Sequence, residues 1–211
     1  MTDVKPIVPL VIDADRHLVE VREGGEEILR GHFLHVFRDT VRLPNALTAS
    51  REYIVHPGAV MVIPLLELPD GRTQLVMERQ YRYPVGQVMI EFPAGKLDPG
   101  EDPLVCAQRE LREETGYTAL EWARAGLTHP VISYSTERIE IWFARGLKPG
   151  PRALDAGEFL DVMTVDPNDL LQWCMQGLVT DAKTLAGALW WQNTQGPSAA
   201  WPLVWQAGDA A

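Results

Sequence analysis

Cysteine is scarce in this chain, since only Cys106 and Cys174 occur among its 211 residues. Two cysteines this far apart provide neither a disulfide framework nor a cysteine-rich metal cluster. We therefore predict that both are small buried hydrophobic side chains. Stability must then come from a hydrophobic core, and a chain of this length with 46% hydrophobic residues can form one sizeable domain with a small appendage.

Positive charge and long apolar runs are also lacking. Lysine and arginine number 19 against 29 aspartates and glutamates, which gives a net charge of -10. Such a chain repels nucleic acid and anionic membranes, so an anionic ligand must be met by bound cations or by locally placed arginines. No segment reaches the roughly 18 consecutive apolar residues of a membrane-spanning helix. We expect a cytoplasmic protein that binds neither nucleic acid nor membrane.

Alternating and apolar segments predict the secondary structure. The residues from Leu18 to His56 contain short alternating segments that are typical of antiparallel strands. GAVMVIPLLEL and TQLVMERQYR, joined by the turn PDGR, predict a hairpin that feeds a central sheet, and helices are predicted in DPNDLLQWCMQGLV and DAKTLAGALWWQN. This order favours an α+β or mixed α/β fold with a β-rich subdomain at 1–55, a main domain at 56–196 and a tail at 197–211.

Four glutamates lie in the stretch GKLDPGEDPLVCAQRELREETGY, which begins at Gly95, and three of them fall within five residues. Asp102 and Pro103 start a helix and Gly116 ends it, so we predict a helix over 103–115. Helical geometry places Glu110, Glu113 and Glu114 on one arc beside an apolar arc. One interpretation is a solvated face that Arg109 and Arg112 neutralise. The other is a site for hard divalent cations, of which Mg²⁺ is the most natural.

The wider spacing favours the cation site. Five residues separate Gly95 from Glu101, and seven more precede Arg109-Glu110-Leu111-Arg112-Glu113-Glu114-Thr115-Gly116-Tyr117. This spacing matches the signature of the Nudix hydrolases at every position, and chance gives such a match with a probability on the order of 10⁻⁷. The chain thus resembles that family. The resemblance implies a Nudix-type α/β/α sandwich with a mixed sheet, a small amino-terminal antiparallel sheet, and cleavage of nucleoside diphosphates linked to another group.

The resemblance also implies roles for individual residues. Arg109 orients the cluster by ion pairing, and Glu101 supports the loop or holds an additional metal ion. The metal ligands implied are Glu110, Glu113, Glu114 and the backbone carbonyl of Ala94. Two or three Mg²⁺ ions, with Mn²⁺ as an alternative, would neutralise the phosphoryl oxygens and lower the pKa of a water that attacks phosphorus in line.

Similarity beyond the signature, from about Phe33 to Leu189, is to the ADP-ribose pyrophosphatase branch. It is carried by REYIVHPGAV, VMERQYRYPVGQVMIEFPAGKLDPGE, THPVISYSTERIEIWFARGL, GEFLDV and VTDAKTLAGAL. It implies that ADP-ribose is converted to AMP and ribose 5-phosphate. Arg82 is then a phosphate contact rather than an ordinary edge-strand charge, and Glu91 a contact to substrate or metal rather than a structural carboxylate.

Further residues follow from the same branch. Pro130 matches its marker proline near the sugar side of the substrate, although Val131, Ile132 and Ser133 replace the glycine that often follows. The general base is expected to be Glu158, with Glu137 as the alternative, and either could instead be a solvated loop residue. The branch is usually homodimeric, with amino-terminal strands that complete the adenine pocket, where Arg51 is a candidate contact.

Three other functions stay open at the level of sequence. The substrate could be another nucleoside diphosphate sugar, such as GDP-mannose. The chain could be a nucleotide-sensing module that keeps the fold without turnover, although intact Glu110, Glu113 and Glu114 disfavour this. RNA decapping fits poorly, because the chain is acidic and has no basic run.

Overall fold

The structure is a computed structural model and describes residues 13–195 and 201–208. The chain divides into two compact units. The first contains the described part of Met1–His56 together with Ser133–Thr136, and the second contains Pro57–Ile132 and the described part of Glu137–Ala211. The first boundary, at His56, lies beside the predicted limit at 55. The sequence-based limits of the three segments stay a prediction.

The first unit is a three-stranded antiparallel sheet. A short 3₁₀ helix, Asp13–Leu18, precedes the strands β1 (Val21–Arg30), β2 (His35–Arg42) and β3 (Thr48–Val55), which are ordered β1-β2-β3. Asp39 on β2 is buried and accepts hydrogen bonds from Arg22 Nε at 2.8 Å and the Tyr53 hydroxyl at 3.0 Å, which connects all three strands. The small antiparallel sheet expected from the alternating segments is confirmed.

The second unit is built around an eight-stranded mixed sheet. Its strands are β4 (Ala59–Glu67), β5 (Thr73–Arg82), β6 (Gln87–Glu91), β7 (Ala94–Lys96), β8 (Tyr117–Thr128), β9 (Ile139–Pro149), β10 (Leu160–Val165) and β11 (Trp205–Ala207). The main order is β10-β5-β4-β9-β8-β11, with β6 paired to β5 and β7 to β4. Only the pairing of β4 with β9 is parallel within the described part of this sheet.

Three α-helices accompany this sheet, and an aspartate caps the amino terminus of each. They are α1 (Pro103–Glu110), α2 (Pro167–Met175) and α3 (Ala182–Thr194), capped by Asp102, Asp166 and Asp181. The predicted helix over 103–115 requires a correction, because Leu111–Thr115 continues α1 as a π-helical turn. Gly116 ends this turn in the left-handed region with φ 77°, as the sequence indicated.

The hydrophobic core lies on both faces of the central strand β4. Met61 and Ile63 point to one face, where they belong to a cluster with Leu170 of α2 and Ala188 of α3. Val60 and Val62 point to the other face and belong to a second cluster with residues of α1, namely Cys106 and Ala107. Two-sided burial explains why this strand is a continuous apolar run. Helices on both faces of a mixed sheet confirm the expected α/β/α sandwich.

The structure corrects the prediction for one cysteine and adds a strand in the tail. Cys106 is fully buried, but Cys174 is only half-buried, so the prediction of two buried cysteines is wrong for the second. In the tail, Trp205–Ala207 pairs with β8 as β11, and the Arg145 guanidinium lies 4.0 Å from the ring centre of Trp205. Residues 196–200 and 209–211 lie outside the described residues. Among the helices that are described, none has the length and apolarity needed to cross a membrane.

Candidate active site

A loop and a capped helix position the predicted metal ligands. Asp102 accepts a hydrogen bond from the backbone N–H of Leu104 at 2.8 Å, and Pro103 occupies the first helical turn, where its missing N–H costs nothing. Cys106 packs with Ala107 and Leu111 into the core and fixes the rotation of α1. The acidic positions of the signature are thereby held beside the loop that starts at Gly95.

Arg109 is the centre of an ion-pair network. Its Nε and Nη2 donate to the two carboxylate oxygens of Glu101, both at 2.9 Å. Its Nη1 donates to Glu110 Oε1 at 2.7 Å and to Glu113 Oε2 at 3.2 Å. The hydrogen bonds from Arg109 lower the pKa of Glu101 to about 2, because they stabilise the ionised carboxylate. Arg109 therefore organises three acids, and Glu101 anchors the loop by accepting from the Asp98 N–H at 3.0 Å.

Glu110 and Glu114 face the loop beneath α1. Glu114 is only 3% exposed and accepts a hydrogen bond from the Ala94 N–H at 3.0 Å. A Cβ atom placed on Gly95 would lie 1.9 Å from the Glu110 carboxylate, so this acid fills the space that glycine leaves free. Burial raises the pKa of both, and for Glu114 the charges of Glu78, Glu110 and Glu158 raise it further. These carboxylates repel one another where water cannot screen them.

Glu78 on β5 is a site residue that sequence reasoning missed. It is completely buried, and neither of its carboxylate oxygens has a hydrogen-bond partner within the described residues. Burial and the nearby charge of Glu91 raise its pKa. The signal was present in TQLVMERQYR, because strand alternation puts Glu78, Gln80 and Arg82 on one face and the exposed Arg79 on the other.

A second ion-pair network joins the two predicted residues Arg82 and Glu91. Arg82 Nε and Nη2 donate to the Glu91 carboxylate oxygens at 2.7 and 2.9 Å, while Nη1 donates to none of the described residues. Lys183, in the first turn of α3, donates to Glu91 and, at 3.0 Å, to Asp181 Oδ2. Burial opposes ionisation of Glu91, but the hydrogen bonds and charges of Arg82 and Lys183 outweigh it and lower its pKa. The sequence did not indicate Lys183 as a site residue, although Lys183 lies in VTDAKTLAGAL, one of the segments that carry the resemblance.

The two candidate bases differ in their surroundings. Glu158 precedes β10 and accepts a hydrogen bond from Gln80 Nε2 at 3.3 Å, and its charge contributes to the raised pKa of Glu78, Glu110 and Glu114. Its loop is tied to the π-helical turn by the Ala153 N–H, which donates to the Glu113 carbonyl at 3.0 Å. Glu137 lies just before β9, and its charge is not a main cause of the raised pKa of Glu78, Glu110 or Glu114. Glu158 is thus the candidate base whose charge acts on the acidic cluster.

The remaining predicted contacts lie elsewhere in the chain. Arg51 belongs to the first unit and donates to Glu20 Oε2 at 2.9 Å. Pro130 is half-buried in the turn that follows β8. Their predicted contacts with substrate stay predictions.

The chemistry of the acidic cluster fits a hard divalent cation. Across residues 13–195 and 201–208, no three His, Cys, Asp or Glu side chains are already gathered into a group that could hold a metal ion. Arg109 gives a reason, because it draws Glu110 and Glu113 towards its own guanidinium. The donor set nevertheless consists of carboxylates that repel one another, and the buried Glu78 has no hydrogen-bond partner among the residues that the structure describes. A cation supplies the positive charge that this arrangement needs.

Comparison with known proteins gives consistent similarities. A family model described as NUDIX domain matches residues 55–185. A methanol dehydrogenase activator of Bacillus methanolicus is 39% identical over 164 residues, which cover 76% of this chain and 85% of that protein. An ADP-ribose pyrophosphatase of Bacillus subtilis is 36% identical over 171 residues, covering 80% and 90%. A crystal structure of an ADP compounds hydrolase shares the fold, with a TM-score of 0.73, 22% identity, and coverage of 84% and 96%.

Proposed function

The chain belongs to the NUDIX domain family, and from this membership we propose that it hydrolyses the diphosphate bond of ADP-ribose to give AMP and ribose 5-phosphate. The observation that carries the proposal is that the candidate site combines carboxylates, which suit cations, with an arginine, which suits an anion. Glu114 is buried and Glu110 is half-buried, and both carboxylates suit cations, while the charge of Glu114 contributes to the raised pKa of Arg82. The similarity to the Bacillus subtilis ADP-ribose pyrophosphatase supports this choice of substrate.

Carboxylates of the Nudix helix would hold the cations. Glu110, Glu113 and Glu114 are the proposed ligands, with the Ala94 carbonyl beside them. When bound, Mg²⁺ neutralises phosphoryl oxygens and makes water more acidic. Arg109 would orient the cluster through its ion pairs with Glu110 and Glu113, and a cation would compete with its guanidinium for these two carboxylates.

Arg82 would bind the diphosphate. Its bidentate pair with Glu91 fixes the plane of the guanidinium, and Nη1 keeps its hydrogens for a phosphoryl oxygen. Lys183 neutralises part of the charge on Glu91 and so leaves Arg82 with a net attraction for an anion. The hydrogen bonds of Glu91 thereby position the phosphate-binding group.

Glu158 would accept the proton of the attacking water. It lies on the loop between β9 and β10 and is not among the proposed cation ligands. Gln80 donates to Oε1 and orients the carboxylate. Gly157, with φ 91°, allows the tight backbone turn that precedes Glu158.

The oligomeric state belongs to the same proposal. We propose a homodimer in which the first unit completes an adenine pocket, with Arg51 as a contact. Apolar side chains of this unit that face solvent support a protein-protein interface, among them Val21, Leu29 and Phe33.

The relative from Bacillus methanolicus suggests a second candidate function. Its name describes an activator of methanol dehydrogenase, and the similarity covers 76% of this chain. The chain could likewise activate a dehydrogenase. Adding the purified chain to methanol dehydrogenase of that organism, with and without Mg²⁺, would test this, and an unchanged dehydrogenase rate would count against it.

A substrate panel tests the main proposal. The purified chain would be incubated with ADP-ribose and with GDP-mannose in Mg²⁺ or Mn²⁺, and the products resolved by ion exchange. We expect AMP from ADP-ribose at the highest kcat/KM. Glu114→Gln should lower kcat at least ~10²-fold with the fold intact. Absence of hydrolysis across the panel would favour the nucleotide-sensing module instead.

A further inference from the structure

The carboxylate of Glu78 lacks a partner in the described structure. The side chain is fully buried, and neither oxygen accepts a hydrogen bond from any described residue. Burial of an ionised carboxylate without a partner is unfavourable, so such a group is kept neutral, is paired, or binds a cation. A cation is one partner that could satisfy the oxygens of Glu78.

The donors around Glu78 hydrogen-bond to other acceptors. The positive charges of Arg82 and Lys183 act to lower the pKa of Glu78, but both side chains donate hydrogen bonds to Glu91. Gln80, on the same face of β5, donates to Glu158, and the Ala94 N–H donates to Glu114. Among the described residues, none of these donors makes a hydrogen bond to either oxygen of Glu78.

The register of the sheet adds more negative charge. Glu78 on β5 lies directly opposite Glu91 on β6, so their side chains leave the same face of the sheet. Like charges in this position destabilise a strand pair. Glu114 is also buried, and the charge of Glu78 contributes to its raised pKa.

We propose that Glu78 is an additional cation-binding carboxylate of the active site, and that a divalent cation shared with Glu114 satisfies its unpartnered oxygens. The inference rests on the proposed function, because it assigns a further residue to the same cation site. A strand residue then joins the helix residues in binding the cation. This ties cation binding to β5, the strand that also carries Arg82.

Glu78→Gln tests the inference by direct measurement of cation binding. The variant keeps the shape of the side chain and removes its charge. Mn²⁺ binding to the metal-free protein would be measured by electron paramagnetic resonance, together with the rise in Tm that Mn²⁺ causes. We expect the Kd for Mn²⁺ to rise at least tenfold and the Tm increase to shrink. Glu121→Gln, a control on β8 whose carboxylate pairs with Arg145, should behave like the parent.

A second variant protects the test from a folding defect. Glu78→Asp keeps the charge, and it should retain more Mn²⁺ affinity than Glu78→Gln, while circular dichroism checks that each variant is folded. Parental Mn²⁺ affinity in Glu78→Gln would show that Glu78 is a neutral structural carboxyl and would overturn the inference. If the parent protein itself bound no Mn²⁺, the proposed metal-dependent hydrolysis would fail together with the inference.

Discussion

At the scale of a single residue, Arg82 pairs with Glu91 and is also the proposed phosphate-binding group. Its bidentate pair with Glu91 stabilises a buried carboxylate, and the same guanidinium is the proposed phosphate contact. Arg79, three residues earlier on β5, is exposed on the opposite face and has neither task. The two arginines therefore offer a matched comparison.

Replacing Arg82 with alanine should raise KM for ADP-ribose about tenfold or more, because a charge-assisted contact to a phosphate contributes ~1.5–3 kcal/mol. Steady-state kinetics would measure this, and Arg79→Ala should leave KM unchanged. If KM stayed at the parental value while Tm fell, Arg82 would serve only to stabilise Glu91.

Gly95→Ala probes the space beneath Glu110. The added Cβ would lie 1.9 Å from the carboxylate carbon, so Glu110 must move away. A displacement of about 1 Å in a catalytic group can cost ~10²-fold in rate, and we expect a fall in kcat of that size. Gly24→Ala is the control, since no atom lies within 4 Å of its added Cβ. Equal activity in both variants would contradict the proposed position of Glu110.

The acidic site depends on the helical segment 103–115 and on the loop before β10. Local sequence rules predict the ends of the helical segment but not the π-helical turn within it. Asp102, Pro103 and Gly116 set the ends of the helical segment through cap and φ preferences. The π-helical turn Leu111–Thr115 lies inside those ends and carries Glu113 and Glu114. Such turns are often found at functional sites. The loop before β10 is anchored to this turn and carries Glu158.

Glu158→Gln separates the two candidate bases. If Glu158 takes the proton, kcat should fall ~10²–10⁴-fold with KM nearly unchanged. Single-turnover and steady-state rates on ADP-ribose would measure the change. Glu137→Gln is the matched variant and should keep most of the activity. The reverse pattern would move the base to the loop before β9.

At the scale of the whole molecule, the first unit contains a segment from the middle of the chain. Ser135 forms a parallel bridge with Ile54, and the Thr136 hydroxyl accepts from the His56 N–H at 2.9 Å. The first unit therefore does not consist of the amino-terminal residues alone. Removal of those residues would expose the backbone groups of Ser133–Thr136.

Deleting residues 1–55 should abolish both the dimer and ADP-ribose hydrolysis, if the first unit builds the shared adenine pocket. Light scattering after gel filtration would give the mass, and product analysis the activity. Far-ultraviolet circular dichroism would confirm that the remaining domain folds. A folded monomer that hydrolyses ADP-ribose at the parental rate would refute the proposed dimer.

The sequence by itself determined the features that depend on local spacing. The caps of three helices, the hairpin of β4 and β5, and the order of the signature acids follow from neighbouring residues, because capping and alternation act over a few positions. Family resemblance extended this to the expected sandwich. The roles assigned to the acids stay predictions.

Only the tertiary structure decided how distant groups combine. Lys183 reaches Glu91 across 92 positions, and Ser135 joins β3 from far along the chain. Glu78 is two residues from Gln80 in the sequence. Its lack of a hydrogen-bond partner among the described residues depends on the sheet register and on the acceptors that the neighbouring donors reach. Burial and pairing are properties of the folded chain, since they depend on which distant residues exclude water from a group and which donors remain free for it.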